Sequence, residues 1–253
     1  MVYKCIEYIQ YSLWPSQCVL CGSTGISADI SNGDRQLDLC QGCYQALPIN
    51  FPACHRCGQP LPALSANIET TIETTAGRLC GQCMIEPPAY QQCFALLRYR
   101  PPIPRLMMDL KFHDGLHLIR VFGELMTEKL APRACLPQLL LPVPLHPARL
   151  RQRGYNQAVE LAQVIGRRLG IRVDLHQCRR IRHTEVQSTL PACARRGNVR
   201  GAFALQHKLD AKHVAIVDDV MTTGSTLAAI ASLLQRHGVQ NIEVWVIARA
   251  GKS

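Results

Sequence analysis

Val214–Leu227 reads VAIVDDVMTTGSTL. The apolar run Val214–Val217 predicts a buried strand that ends in the acidic pair Asp218-Asp219. The turn Thr222-Thr223-Gly224-Ser225-Thr226 then opens a helix expected over Ser225–Arg236 and closed by Gly238. Successive backbone N–H groups, four hydroxyls and a helix N-terminus at one point make a phosphate cradle, and Gly224 lets a ligand approach the backbone. Two adjacent carboxylates are out of place around a bare phosphate. They suit a ligand that also carries hydroxyls and a hydrated Mg²⁺. A phosphorylated ribose has both parts, its phosphate for the turn and its 2′- and 3′-hydroxyls for Asp218 and Asp219. An ordinary helix start needs one capping hydroxyl, not four beside paired acids.

Working outward, His213–Val220 is expected as a strand and Ile242–Ala248 as the next one. Upstream, Cys93–Arg100 reads as a strand stopped by Pro101-Pro102, and 104–112 and 116–130 read as helices. Leu139–Leu145 is apolar and bounded by prolines, as a buried parallel strand is. Gln157–Leu169 has helical periodicity, with Gly170 as its C-cap. Strand–helix–strand alternation predicts an α/β fold with a mainly parallel sheet and flanking helices. Thr184–Arg200 is polar and weakly periodic, a loop of the length that usually serves function.

Charge points to a second anion site. The net charge is +10, and residues 141–200 alone hold 12 basic and 3 acidic side chains. Arg149, Arg151 and Arg153 crowd before Gly154, and Arg195, Arg196 and Arg200 lie in the 184–200 loop. Ligands of α/β sheets bind at the carboxyl ends of strands, so these arginines can meet the Asp218 turn across one crevice. Guanidinium suits a diphosphate, and an excess of basic residues also attracts a nucleic-acid backbone. The terminal Ala250-Gly251-Lys252-Ser253 lacks the first glycine of a P-loop, since Val246 stands there.

Toward the N-terminus, eight of the 13 cysteines form four C-x-x-C pairs: Cys18/Cys21, Cys40/Cys43, Cys54/Cys57 and Cys80/Cys83. Gly22 and Gly58 follow the first and third pairs, so Cys18–Cys43 reads as a rough repeat of Cys54–Cys83. Two such pairs supply the four thiolates of a zinc ribbon, and the eight supply two sites. The repeat favours sequential pairing, with a crossed arrangement of first and third pairs as the alternative. Polar segments such as 23–38 cannot fold on burial alone, so metal binding would supply their folding energy. Cys5, Cys93, Cys135, Cys178 and Cys193 lack such spacing and are expected as small buried apolar residues. Tyr90, Phe94 and Tyr99 are expected in the core. Met1–Trp14 reads as a short amphipathic helix rather than an export signal, and no run of about 18 apolar residues predicts a membrane span.

Several segments together resemble the competence protein F family, also called the GntX type. They are the cysteine region, Leu110-Lys111-Phe112, Val143-Pro144-Leu145, Arg153-Gly154-Tyr155-Asn156-Gln157, Gln187 with Leu190, Asn198-Val199 with Ala202-Phe203, and the 214–227 loop. That loop is similar to the phosphoribosyl diphosphate (PRPP) signature of type I phosphoribosyltransferases. The resemblance implies a double zinc ribbon over residues 1–90 and a type I phosphoribosyltransferase fold over 91–253. It implies PRPP or ribose 5-phosphate on Val217, Asp218, Asp219, Met221, Thr222, Thr223, Gly224, Ser225 and Thr226, with Asp218 and Asp219 as catalytic carboxylates. Arg149, Arg153, Gln187, Arg195 and Arg196 are the expected diphosphate and flexible-loop residues. The expected metals are about two structural zinc ions and Mg²⁺ with PRPP. A cytoplasmic role in uptake or utilisation of external DNA follows, with single-stranded DNA and competence or DNA-processing proteins as expected partners. Two readings result: an enzyme that transfers a ribosyl 5-phosphate group, or a DNA-handling protein that uses the pocket as a ligand sensor.

Overall fold

The computed structural model describes residues 17–24, 37–63, 77–112, 115–181 and 201–251. The expected Met1–Trp14 helix and the 184–200 loop, with Gln187, Arg195, Arg196 and Arg200, lie outside the described residues. By its contacts the chain divides into Met1–Leu47 and Pro48–Ser253, so the second cysteine repeat belongs to the same unit as the sheet.

The first unit holds the Cys18 turn and the short helix α1 (Gln41–Gln45). In the second unit the helix α2 (Gly81–Ile85) precedes strand β1 (Gln92–Arg98). Then come helices α3 (Ile103–Phe112) and α4 (Leu116–Leu130) and strand β2 (Leu139–Pro142). Helices α5 (Pro147–Arg153) and α6 (Gln157–Leu169) and the short strands β3 (Arg172–Val173), β4 (Cys178–Arg180) and β5 (Phe203–Leu205) follow. Strand β6 (His213–Met221), helix α7 (Ser225–Arg236) and strand β7 (Asn241–Arg249) complete the described elements.

Five strands form one parallel sheet in the order β1-β7-β6-β2-β3. The two central strands are buried on both faces: Val214–Val217 and Val244–Val246 have no exposed surface. Residues of this kind read as continuous apolar runs, which is why the sequence announces them clearly. Strand β2 stops at Pro142, short of the expected Leu145. Val143 N donates once more to Val217 O at 2.9 Å, and Pro144 has no N–H to extend the ladder.

Two features were not foreseen. Pro147–Arg153 is a helix, started by His146, whose Nδ1 accepts from Ala148 N, and ended at Gly154 in the left-handed conformation. Strands β4 and β5 form a separate antiparallel pair, with Arg180 opposite Phe203. No helix among the described residues is long and apolar enough to cross a membrane.

Candidate functional site

Strand β6 carries Asp218 and Asp219 to the carboxyl end of the sheet, where α7 begins. Gly224 is the N-cap of α7 at φ +78°, a left-handed conformation that favours glycine, and a Cβ there would stand 2.5 Å from the terminal methyl of Met221, which would have to shift. Thr223 Oγ1 lies 2.8 Å from Ser225 Oγ, which sets both hydroxyls at the open first turn of α7. The first amides of a helix have no intrahelical acceptor, so this turn presents donors to an anion.

The two carboxyl groups differ. Asp219 Oδ2 pairs with Lys111 Nζ at 3.0 Å. Burial, and then the neighbouring Asp219 charge, push the Asp218 carboxyl up to about 8. Asp218 Oδ1 accepts from Asp219 N at 2.9 Å, and Asp219 Oδ1 from Val220 N at 2.6 Å.

A cleft of about 170 Å³ lies beside this pair, lined by Lys111, Arg149, Arg153, Arg180, Asp218, Asp219 and Thr226, among others. The structure thus brings Arg149 and Arg153 of α5 to the acidic pair, as the crevice argument expects; Arg151 is exposed and is not part of this lining. Four cations face two carboxylates, an excess suited to a multiply charged anion. Arg149 Nη2 is buried without a hydrogen-bond partner. Burial and the charge of Arg153 lower its pKa, and burial and Arg149 lower that of Arg180. An anionic ligand in the cleft would relieve both effects.

Arg180 and Lys111 were not singled out from the sequence as site residues. Arg180 reaches the cleft from β4 and stacks over the Phe203 ring of β5, 5.6 Å from its centroid. Lys111 is placed by a tie from the Arg153–Gln157 segment. Tyr155 Oη and Gln157 Nε2 both donate to the Leu110 carbonyl, and Asn156 caps α6 while donating to Val143 O at 3.0 Å. The resemblance quoted both segments; their link across 45 residues is what the linear sequence hides.

The eight paired cysteines form two clusters, Cys18/Cys21/Cys40/Cys43 and Cys54/Cys57/Cys80/Cys83, with all ligand atoms of each within 4.8 Å of one another. The pairing is sequential, and the repeat extends to detail. Gly22 N donates to Cys18 O and Gly58 N to Cys54 O, both at 2.8 Å, and Cys40 and Cys80 each precede a five-residue helix. Sulfur separations of 3.7 Å (Cys21–Cys40) and 3.6 Å (Cys57–Cys80) match the edge of about 3.8 Å in a tetrahedron with Zn–S near 2.3 Å. A hydrogen bond from Cys57 holds Cys54 down at about 4, while burial lifts Cys83 to about 12. Four thiols so close cannot all ionise together without a cation. His55 is not among these ligands.

The second cluster adjoins the phosphate turn. Buried Arg249, 2% exposed, donates through Nε to Cys57 O at 2.9 Å and through Nη1 to Met221 O at 3.1 Å and to Thr222 O. Between the cluster and the turn lies a cavity of about 690 Å³, lined by Cys57, Cys83, Tyr90, Met221, Thr223, Gly224 and Ser225 among others. Tyr90, Cys93 and Cys178 are buried as expected, but Cys135 is exposed and Tyr99 is 37% exposed. Cys135 sits in the loop between α4 and β2, off the core, which corrects its reading as a buried apolar residue.

A parallel sheet with an acid pair and a Thr/Gly/Ser turn at the carboxyl end of one strand defines a phosphoribosyltransferase-type domain, here joined to a four-cysteine metal module. Accordingly, the family model "Phosphoribosyl transferase domain" matches residues 155–253 and "Double zinc ribbon domain" matches residues 9–84. Competence protein F of Haemophilus influenzae is 34% identical over 220 residues, 84% of this chain and 90% of that one. The DNA utilization protein YhgH of Escherichia coli K12 is 34% identical over 216 residues, 83% of this chain and 90% of that one. Competence protein ComFC of Streptococcus pneumoniae is 24% identical over 155 residues, 61% of this chain and 67% of that one. A solved purine phosphoribosyltransferase from Pyrococcus horikoshii Ot3 overlaps 51% of this chain and 70% of its own at 21% identity and a TM-score of 0.30. The chain belongs to the competence protein F family.

Proposed function

We propose that the protein binds PRPP, or ribose 5-phosphate, and acts in the uptake or utilisation of external DNA. The observation that carries this reading is the convergence of Asp218, Asp219 and Thr226 with Arg149, Arg153, Arg180 and Lys111 on one cleft. The 5′-phosphate takes the turn Thr222–Thr226, the ribose hydroxyls take Asp218 and Asp219, and the diphosphate takes the cations. Gln187, Arg195 and Arg196 join the diphosphate from the 184–200 segment. Residues 91–253 carry this ligand site on the proposed division, and residues 1–90 carry the two zinc ions. Mg²⁺ suits the oxygen donors of the acid pair and supplies charge neutralisation on the diphosphate. The cavity that shares Thr223–Ser225 receives the acceptor when the protein turns over.

In transfer, Asp218 and Asp219 hold the ribose while the guanidinium groups meet charge that grows on the leaving diphosphate. Calorimetric titration of the zinc-loaded protein with PRPP and Mg²⁺ tests the reading. Arg180→Ala is expected to weaken PRPP by about tenfold or more and ribose 5-phosphate much less, because it acts on the diphosphate, whereas Lys111→Met, which also unpairs Asp219, is expected to weaken both. Absence of PRPP binding to the intact protein overturns the proposal. Diphosphate release with a panel of bases or DNA separates enzyme from sensor. Single-stranded DNA is the second reading of the partner, favoured by the basic excess of residues 141–200 and by relatives named for competence and DNA utilisation.

A further inference from the structure

At the end of the sheet opposite the phosphate turn, three side chains stand in line. Cys135 is exposed, and its Sγ lies 3.9 Å from His213 Nδ1. His213 Nε2 lies 2.9 Å from Glu243 Oε1. The other oxygen of Glu243 accepts from Arg133 Nη1 at 2.6 Å and from Trp245 Nε1 at 2.9 Å. His213 opens β6, about 17 Å along the strand from Asp218 at the usual rise per residue. The cluster is therefore separate from the ribosyl site.

The hydrogen bonds fix the roles. Indole and guanidinium groups only donate, so Glu243 meets both as an acceptor and takes the His213 Nε2 hydrogen as a third. A neutral imidazole that donates from Nε2 carries its lone pair on Nδ1. That atom faces the thiol. Glu243 is held rigidly: it is 4% exposed, Trp245 is fully buried, and Arg133 lies over the rings of Phe94 and Trp245 at 5.4 and 6.0 Å. A nucleophile, a base and an oriented acid behind the base make the arrangement that activates a thiol. Anchoring Arg133 requires Glu243 alone; it does not require His213 between Glu243 and an exposed thiol.

We propose that Cys135 is a reactive thiol, activated by His213 and Glu243, that exchanges with anionic low-molecular-weight disulfides. Cys135 is exposed and lines neither the cleft nor the cavity at the phosphate turn, so the thiol is open to a diffusing reactant and apart from the ligands of both. The charged and titratable groups beside His213 are Glu243, Arg133, Cys135 and the exposed Lys212 before it; Arg133 is matched by Glu243, so Lys212 supplies the cationic excess that favours an anionic reactant. In the step, the thiol proton passes to His213 Nδ1 and Sγ bonds to one sulfur of the disulfide. The disulfide bond breaks, and the departing thiolate takes the proton from Nδ1. One thiol is oxidised into the mixed disulfide and one half of the reagent is reduced to thiol.

The test uses the zinc-loaded full-length protein with oxidised glutathione and the neutral hydroxyethyl disulfide, followed by intact mass and peptide mapping. Cys135 is expected to react at least about tenfold faster at pH 7 than the same cysteine in a peptide of residues 131–138. Glutathione is expected to outpace the neutral reagent by more on the protein than on the peptide. His213→Gln is expected to bring the rate to the peptide's value at pH 7, with the two proteins converging at high pH where the thiol ionises unaided. A Cys135 rate equal to the peptide's in the parent protein overturns the proposal without recourse to any variant. So does an unchanged rate in His213→Gln, or modification that maps to another cysteine.

Discussion

Asp218 and Asp219 are neighbours in β6, yet the fold treats them oppositely. Asp219 has the Lys111 ammonium at 3.0 Å, whereas Asp218 is pushed up to about 8 by burial and by Asp219. A group whose folded pKa is raised keeps its proton in the native state while the unfolded chain has already lost it. The native state is thus favoured fully below about pH 4, and that advantage is lost as pH rises through about 8. Asp218→Asn keeps an acceptor for Asp219 N and removes the titration. It is expected to match the parent in thermal melts at about pH 4 and to melt progressively higher as pH rises toward 8.5, by about 2–4 °C for each kcal/mol recovered. The same change is expected to weaken PRPP at least about tenfold at pH 8.5, where the parent's ionised Asp218 offers the ribose a charge-assisted acceptor that the amide lacks. Stability and ligand binding then move in opposite directions, as expected where a binding residue strains the fold. A melting difference that stays flat from pH 5 to pH 8.5 refutes the assignment of the strain to Asp218.

At the scale of elements, the two cysteine clusters have nearly the same local geometry but different surroundings. The first belongs to Met1–Leu47, while the second is tied to the sheet through Arg249 and through Cys93 N, which donates to His55 O at 3.0 Å. Each cluster is expected to hold one zinc ion by elemental analysis. Cys40→Ser is expected to lose about one zinc and leave PRPP affinity unchanged. Cys80→Ser is expected to lose about one zinc and also weaken PRPP, because Arg249 joins the Cys57 carbonyl to those of Met221 and Thr222. Equal effects of the two variants on PRPP would contradict that coupling. The clusters and the Asp218 turn were legible in the sequence because their chemistry is dense and local: paired cysteines at fixed spacing, and acids beside four hydroxyls. Helix α5 was not, since Pro147–Arg153 has seven residues, no buried side chain and no apolar period. Arg180 was not, since its place depends on three residues of β4 pairing with β5 across a long insertion. Cys135 and His213 are 78 residues apart and meet only through the sheet.

For the whole molecule, the question is what the basic excess of residues 141–200 meets. The described arginines of this segment are spread over α5, α6, β3 and β4. Arg149, Arg153 and Arg180 line the cleft, Arg168 pairs with Glu124, and Arg172 opens β3 at the opposite end of the sheet from Asp218. A DNA strand that reaches the cleft draws on the same cations as the diphosphate. Those cations are few, so the salt dependence is expected to be shallow: about 0.7 in log affinity per log salt for each phosphate, or about 2 to 3 for three or four contacts. Base stacking adds little sequence preference, because Tyr90 is buried and aromatics make up 6% of the chain. Fluorescence anisotropy with a short single-stranded oligonucleotide over a salt series, with and without PRPP, reads the salt dependence and the competition. PRPP is expected to displace the strand, and Arg180→Ala is expected to weaken both ligands together. A steeper slope with no response to PRPP places the DNA on another surface, and no binding at low salt removes DNA as a direct partner. Competition has a functional consequence: a strand and a phosphoribosyl donor that exclude one another from Arg149, Arg153 and Arg180 cannot be donor and acceptor in one complex, so displacement by PRPP would favour the sensor reading over transfer onto DNA.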